Sequence, residues 1–303
     1  MRLALLLAAP LMPADEQAIA PADAPIQIPG PIRAMLESAI ASGNESEIAT
    51  IVKYARTADP ASGDAVMRIA NDWRENRANE RRTRIQSAGL WDLWTGRAEV
   101  GGFATTGNTN TSGLTGALNL QREGLEWRHK LIAQADYQRS LGITTREHYL
   151  AAYEPNWKID SRRYVYGAAQ FESDRFFGYT ERYSISTGAG YSAIQKPKMT
   201  LNVELGPAYR LTEFTDGLTE RSIATRGSVA FEWKLSSGIT FRENASGYLQ
   251  RYNSTASSTT SLAARLFGPL QAQVSYTMQY ESEPPDGRVS MDTTSRASLV
   301  YTF

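Results

Sequence analysis

Cysteine is absent from the 303 residues, and histidine occurs only twice. Without thiols there is no disulfide framework and no thiolate metal site. Avoidance of cysteine is compatible with export to an oxidising compartment. Two isolated histidines, His129 and His148, make no paired-His metal site. The carboxylates outside the strands, such as Asp174 and Asp286, are scattered, so no metal and no cofactor is expected. No run reaches the roughly 18 apolar residues of a membrane-spanning helix. That excludes helical spans but not spanning strands, which never form long apolar runs. Excess charge of one sign is missing too. The 32 basic and 32 acidic side chains balance, which removes the electrostatic ground for a nucleic-acid partner. The Gly-rich "VGGFATTGNTN" lacks the following helix that a phosphate cradle requires.

What is present falls into three parts. "MRLALLLAAPLM" has one Arg and then a short apolar stretch, the form of a secretory signal, expected over residues 1–20. "AIA" or Ala14 is the candidate cleavage point. Residues 21–30, "PADAPIQIPG", read as a Pro-rich linker. Residues 31–90 read as a small helical module expected in the periplasm. Ile32, Met35, Leu36, Ala39 and Ile40 repeat at helical spacing before Gly43, and Ile48, Ile51, Val52 and Ala55 repeat before Pro60. Ser62 and Asp64 can start a third helix, with Val66, Ile69, Ala70 and Trp73 on one face. The basic run at Arg81, Arg82 and Arg84 reads as a solvated helix face with Glu75 and Glu80 nearby.

From Trp91 the period changes to two and holds to the end, residues 91–303. In "LQAQVSYTMQYE" (270–281), Leu270, Ala272, Val274, Tyr276, Met278 and Tyr280 share one face, and Gln271, Gln273, Ser275, Thr277, Gln279 and Glu281 the other. Similar alternation recurs about twelve times, in segments long enough for a tilted strand to cross hydrocarbon, roughly 9–11 residues. Turn signals separate them, from "GNTN" and "SLGITT" to "EPPDGR", and the odd-numbered connections read as longer than the even-numbered ones. This predicts an all-β, closed, up-and-down antiparallel transmembrane barrel of about 12 strands, preceded by the helical module, with both chain ends on the periplasmic side.

Alternation alone does not say which face is oily. Three features assign it. Charges of both signs sit mid-strand on the polar face, which suits a wet lumen. The expected lumen set is Arg128, Lys130, Asp136, Glu204, Arg210, Arg226, Glu232, Arg242 and Arg296. Aromatics cluster toward strand ends as interface girdles do: Trp94, Trp127, Trp157, Tyr209, Trp233, Tyr280 and Tyr301. Finally, about twelve strands are too many for a small soluble barrel with a packed interior. "ASLVYTF", with Leu299, Tyr301 and Phe303 on one face, resembles the C-terminal signal that outer-membrane barrels present for assembly.

"WTGRAEVGGFATTGNTNTSGL", "REGLEWRHKLIAQADYQR", "YEPNWKI", "YVYGAAQFESDRFFGY" and "QYESEPP…SRASLVYTF" together resemble the proteobacterial salt-stress-induced outer-membrane barrels, a family without a defined biochemical role. The resemblance covers 91–303. It implies an outer-membrane location, with outer-membrane lipids and the barrel-assembly machinery as partners, and it supplies no catalytic residue. Three functional readings remain open. One is a narrow pore for ions or small solutes linked to envelope or salt stress. The second is a non-transporting envelope barrel with a salt-bridged lumen. The third is a lipid-modifying enzyme, the least supported, since His129 falls on the oily face and His148 reads as an ordinary strand residue.

Overall fold

The computed structural model describes residues 28–89, 91–105, 110–284 and 289–303. The expected signal over 1–20 and most of the linker lie outside the described residues. The chain divides into two compact units at Thr83/Arg84.

The first unit is helical: α1 (Gly30–Ser42), α2 (Glu45–Ala58) and most of α3 (Pro60–Ser87). Gly43 ends α1 in the left-handed conformation (φ 69°), which glycine adopts without Cβ strain. Asn44 caps α2 by accepting the Ser46 N–H at 3.1 Å. The third helix begins two residues earlier than Ser62, because a proline at the first helical position forgoes an N–H that has no intrahelical partner there. Leu36, Ala39, Ile48, Ala55, Val66 and Ala70 form an apolar core. Ile28, read from sequence as linker, is buried in that core as well. Arg81, Arg82 and Arg84 are exposed.

The second unit is a closed barrel of twelve antiparallel strands in chain order. They are β1 (Trp94–Thr105), β2 (Thr111–Glu123), β3 (Trp127–Ser140), β4 (Ile143–Lys158), β5 (Arg163–Asp174), β6 (Tyr179–Lys196), β7 (Met199–Phe214), β8 (Thr219–Lys234), β9 (Ile239–Gln250), β10 (Thr255–Phe267), β11 (Leu270–Glu281) and β12 (Met291–Thr302). The ring closes where β1 pairs with β12, Arg97 opposite Thr302 and Val100 opposite Leu299. Closure leaves no sheet edge, which a barrel in lipid cannot tolerate.

Connection lengths correct one expectation. "SLGITT" was expected to form a long loop, but only residues 141–142 lie between β3 and β4. Leu141 and Gly142 both have positive φ, 50° and 83°, as a tight two-residue hairpin with the right-handed strand twist demands. The links after β6 and β10, residues 197–198 and 268–269, are as short. The polar flanks that resembled loops are strand residues. Only the links after β1 (106–110) and β11 (282–290) are longer than the rest.

Candidate functional site: the lumen and its ion pairs

The outer face carries the large apolar side chains. Val100, Leu114, Ile185, Leu205, Ile223 and Val274 are among the most exposed residues of the barrel. Large aliphatic groups stay uncovered when the solvent they meet is hydrocarbon, so the barrel is of the transmembrane, outer-membrane type. Trp94, Trp127, Trp157, Trp233 and Tyr301 lie on this face at the end where β1 begins and β12 stops; Tyr280 lies at the opposite end. Tyr209 stands away from a strand end, because β7 continues to Phe214 instead of stopping near Leu211. The water boundary on that side shows in the hydroxyls of Tyr149 and Tyr183, which donate to the outward carboxylates of Glu147 (3.3 Å) and Glu181 (2.8 Å). Leu299, Tyr301 and Phe303 are about half exposed on the outer face. The Phe303 N–H donates to the Gly96 carbonyl at 3.0 Å and Gly96 N–H donates back at 2.8 Å, so the last residue helps close the ring.

A further outward carboxylate lies well inside its strand. Glu243 of β9 points to the lipid face, where Ser258 of β10 donates to its carboxylate at 2.5 Å and Thr260 donates to its other oxygen. Its neighbour Arg242 points inward, as the sequence pattern expects.

The inner face concentrates charge, and many of the charges are paired. At the end where β1 begins and β12 stops, Glu123 accepts Arg128 Nε at 2.8 Å and Lys158 Nζ at 2.5 Å. In the middle, Arg226 of β8 donates to Glu204 of β7 (3.1 Å) and also to Glu154 of β4 (3.0 Å), while Lys130 Nζ lies 3.2 Å from Glu154 and 3.6 Å from Glu204. Tyr164 donates to Glu204 at 3.1 Å, and its ring lies over Gly190, where a Cβ would come within 2.1 Å of it. Toward the other end, Asp136 accepts Arg296 of β12 at 2.6 Å, the Thr115 hydroxyl and Gln134 Nε2 at 2.8 Å, with His148 Nδ1 at 3.4 Å. Beside them, Arg182 of β6 donates to Glu281 of β11 at 2.9 Å, and Asn253 Nδ2 donates to the second Glu281 oxygen at 3.0 Å. Arg210 donates to Gln250 and Thr255, and Arg242 to Glu232 at 2.8 Å.

Four lumenal guanidiniums also lie over tyrosine rings: Arg182 over Tyr179 (3.7 Å), Arg210 over Tyr248 (4.4 Å), Arg226 over Tyr166 (5.1 Å) and Arg128 over Tyr164 (5.9 Å). These arrangements span the bore. Four strand steps separate β8 from β4 and five separate β6 from β11 in a twelve-strand ring. Arg182 and Glu281 retain only 5% and 2% side-chain exposure, so the lumen at that level is filled by the pair itself.

All nine lumen candidates face the interior, but in pairs and clusters rather than as a lining of separate charges. Glu154, Arg182, Glu281 and the four tyrosines escaped sequence reading. The β6 register shifts between Tyr179 and Glu181, which puts the buried Tyr179 out of step with Arg182, Ser184 and Ser186, and lumenal tyrosines look like girdle residues when the partner strand is unknown. His148 is a buried lumenal residue bonded to Asp136, not a plain strand position. His129 is on the outer face, 2.9 Å from the Tyr153 hydroxyl and stacked between Trp127 and Tyr153.

Among known proteins, the uncharacterized protein YdiY of Escherichia coli (strain K12) is 26% identical over 209 residues, covering 69% of this chain and 82% of YdiY. Solved structures with some likeness include the NanC porin (13% identity, TM-score 0.44, 68% of this chain and 99% of that one). An outer membrane channel from Pseudomonas putida F1 gives 7%, 0.43, 72% and 100%. The translocator domain of the autotransporter NalP from Neisseria meningitidis gives 11%, 0.41, 76% and 96%. A family model matches residues 98–303, nearly the whole barrel. The chain therefore belongs to the family described as "Protein of unknown function, DUF481".

Proposed function

We propose that this protein is an outer-membrane barrel whose lumen is closed at rest by ion pairs crossing the bore, and that it serves the envelope as a structural component rather than as an open porin. The observation that carries this reading is the Arg182–Glu281 pair, joined across five strand steps and almost fully shielded from solvent. Arg226 between Glu154 and Glu204 supports it at mid-height. A buried pair is held by geometry; opening it would expose two charges that have lost each other. In this reading the helical unit lies in the periplasm, the leader directs export, Leu299, Tyr301 and Phe303 serve assembly, and outer-membrane lipids surround the girdles. A role under salt stress belongs to the same proposal.

A narrow, gated ion pore is the second reading. It is favoured by the partly wetted groups near the termini, where Glu123 and Glu232 keep 31% and 34% side-chain exposure. Planar-bilayer recording of the refolded full chain separates the two. The closed reading expects no stable conductance steps in the parent and steps in a Glu154→Gln, Glu204→Gln double variant. Regular steps in the parent would replace it with the pore.

A further inference from the structure

Arg97 of β1 and Arg242 of β9 are each the fourth residue of their strand, counted from the end where β1 begins and β12 stops. Both point inward, and three strands, β10 to β12, lie between them around the wall. Arg97 lies within electrostatic reach of Arg242, Glu99 and Glu232. Each guanidinium has an Nη1 that is buried and has no hydrogen-bond partner among the described residues.

The nearby carboxylates have other partners. Glu99 Oε1 accepts the Ser298 hydroxyl at 2.6 Å, and Glu99 Oε2 accepts Gln273 Nε2 at 2.9 Å. Glu232 Oε2 accepts Arg242 Nε at 2.8 Å, so that ion pair uses a different edge of the guanidinium from the one left over. Two like charges within reach of each other thus keep donors that nothing satisfies. Elsewhere in the lumen Arg182, Arg226 and Arg296 meet a carboxylate and Arg210 stacks on a tyrosine; among the described residues Arg97 has neither contact.

A buried N–H without a partner is costly, and two guanidiniums within electrostatic reach of each other repel. Water can satisfy the donors but brings no charge. A small oxyanion answers both needs: its oxygens accept from planar N–H forks, and its negative charge sits between two positive ones. We propose that Arg97 and Arg242 form a lumenal binding site for a small oxyanion, either inorganic phosphate or sulfate or the carboxylate of a small organic acid. Arg242 is held by Glu232 as the fixed half, and Arg97 is the half that engages the anion. The site stands whether or not the lumen conducts.

The test is calorimetric titration of the refolded full chain in detergent with sodium phosphate, sulfate and acetate, each against sodium chloride at matched ionic strength. Heat-modifiable gel mobility confirms that every sample is folded. Saturable binding of at least one oxyanion is expected, with the preferred anion distinguishing a tetrahedral from a carboxylate ligand. Arg97→Gln should weaken it by roughly tenfold or more, the loss of one charge-assisted contact. Arg97→Lys, which keeps the charge and so guards against misfolding of the neutral variant, should weaken it less. Heats that match chloride for all three anions would overturn the proposal, as would equal affinity in folded Arg97→Gln. The outcome is independent of bilayer conductance, so its failure leaves the closed-barrel reading intact.

Discussion

The helical unit and the barrel have interiors of opposite polarity within one chain. Between the three helices sit Leu36, Ile48 and Val66, each exposed by 1% or less. Inside the barrel, groups as deeply covered include Glu281 at 1%, Asp174 and Arg210 at 2% and Asp136 at 3%. The difference lies in what surrounds each unit. A helical unit in water gains by gathering its apolar side chains inward. A barrel in hydrocarbon gains nothing from that, so its apolar side chains stay outside and its polar groups must satisfy one another within. The same alternating strand serves either case. Only the medium decides which face is the interior.

That contrast can be broken most severely at Arg182. Arg182→Leu leaves the Glu281 carboxylate buried with only Asn253, and a loss of about 3–5 kcal/mol is expected. Urea unfolding of the refolded barrel, followed by gel mobility, reads it. A loss below about 1 kcal/mol would mean that the lumen at this level is wet and the pair is screened as a surface pair is.

The mirror experiment in the helical unit is Ile48→Ala. Removing a fully buried aliphatic side chain should cost about 2–5 kcal/mol, seen as early loss of helical circular dichroism with unchanged barrel mobility. Loss of both signals together would show that the two units unfold as one.

Third comes the lipid face. Val274→Arg puts a charge among exposed apolar groups near the middle of β11, with an expected cost of about 2–4 kcal/mol in lipid vesicles. A neutral effect in vesicles would contradict the outward-apolar assignment.

The smallest effect is at the water boundary. Asp160, in the turn after β4, accepts the backbone N–H groups of Arg163 (2.7 Å) and Arg162 (2.8 Å) and the Arg163 side chain (2.6 Å). These bonds, the Arg163 backbone bond first, hold its carboxyl down to about 2. The folded value is lowered, so the turn gains from the ionised form above the ordinary carboxylate value of about 4. That gain is lost as pH falls through about 2. An NMR titration of Asp160 with its midpoint near 4 would show that the turn does not form.

How far the sequence could be read follows from the same physics. The run from Leu270 to Glu281 announces a two-faced strand because its apolar and polar residues alternate without error, and that stretch is β11 residue for residue. Tyr179 was hidden by the register shift in β6, and Ile28 looked like linker because prolines flank it. The loop after β3 was expected over "SLGITT", residues 140–145; Thr144 and Thr145 are polar but belong to β4, so polarity there does not mark a turn. Glu243 fits no pattern of alternation, since its partners Ser258 and Thr260 belong to another strand.

By itself the sequence determined the number of strands, the faces each presents and the change from helix to strand near Trp91, because these depend on side-chain period along the chain. Tertiary structure alone decided which charge meets which. Arg182 and Glu281 are 99 residues apart, and Glu99 and Ser298 are 199 apart. Such distances along the chain carry no local signal, and only closure of the ring, with its fixed strand register, brings those groups within bonding distance.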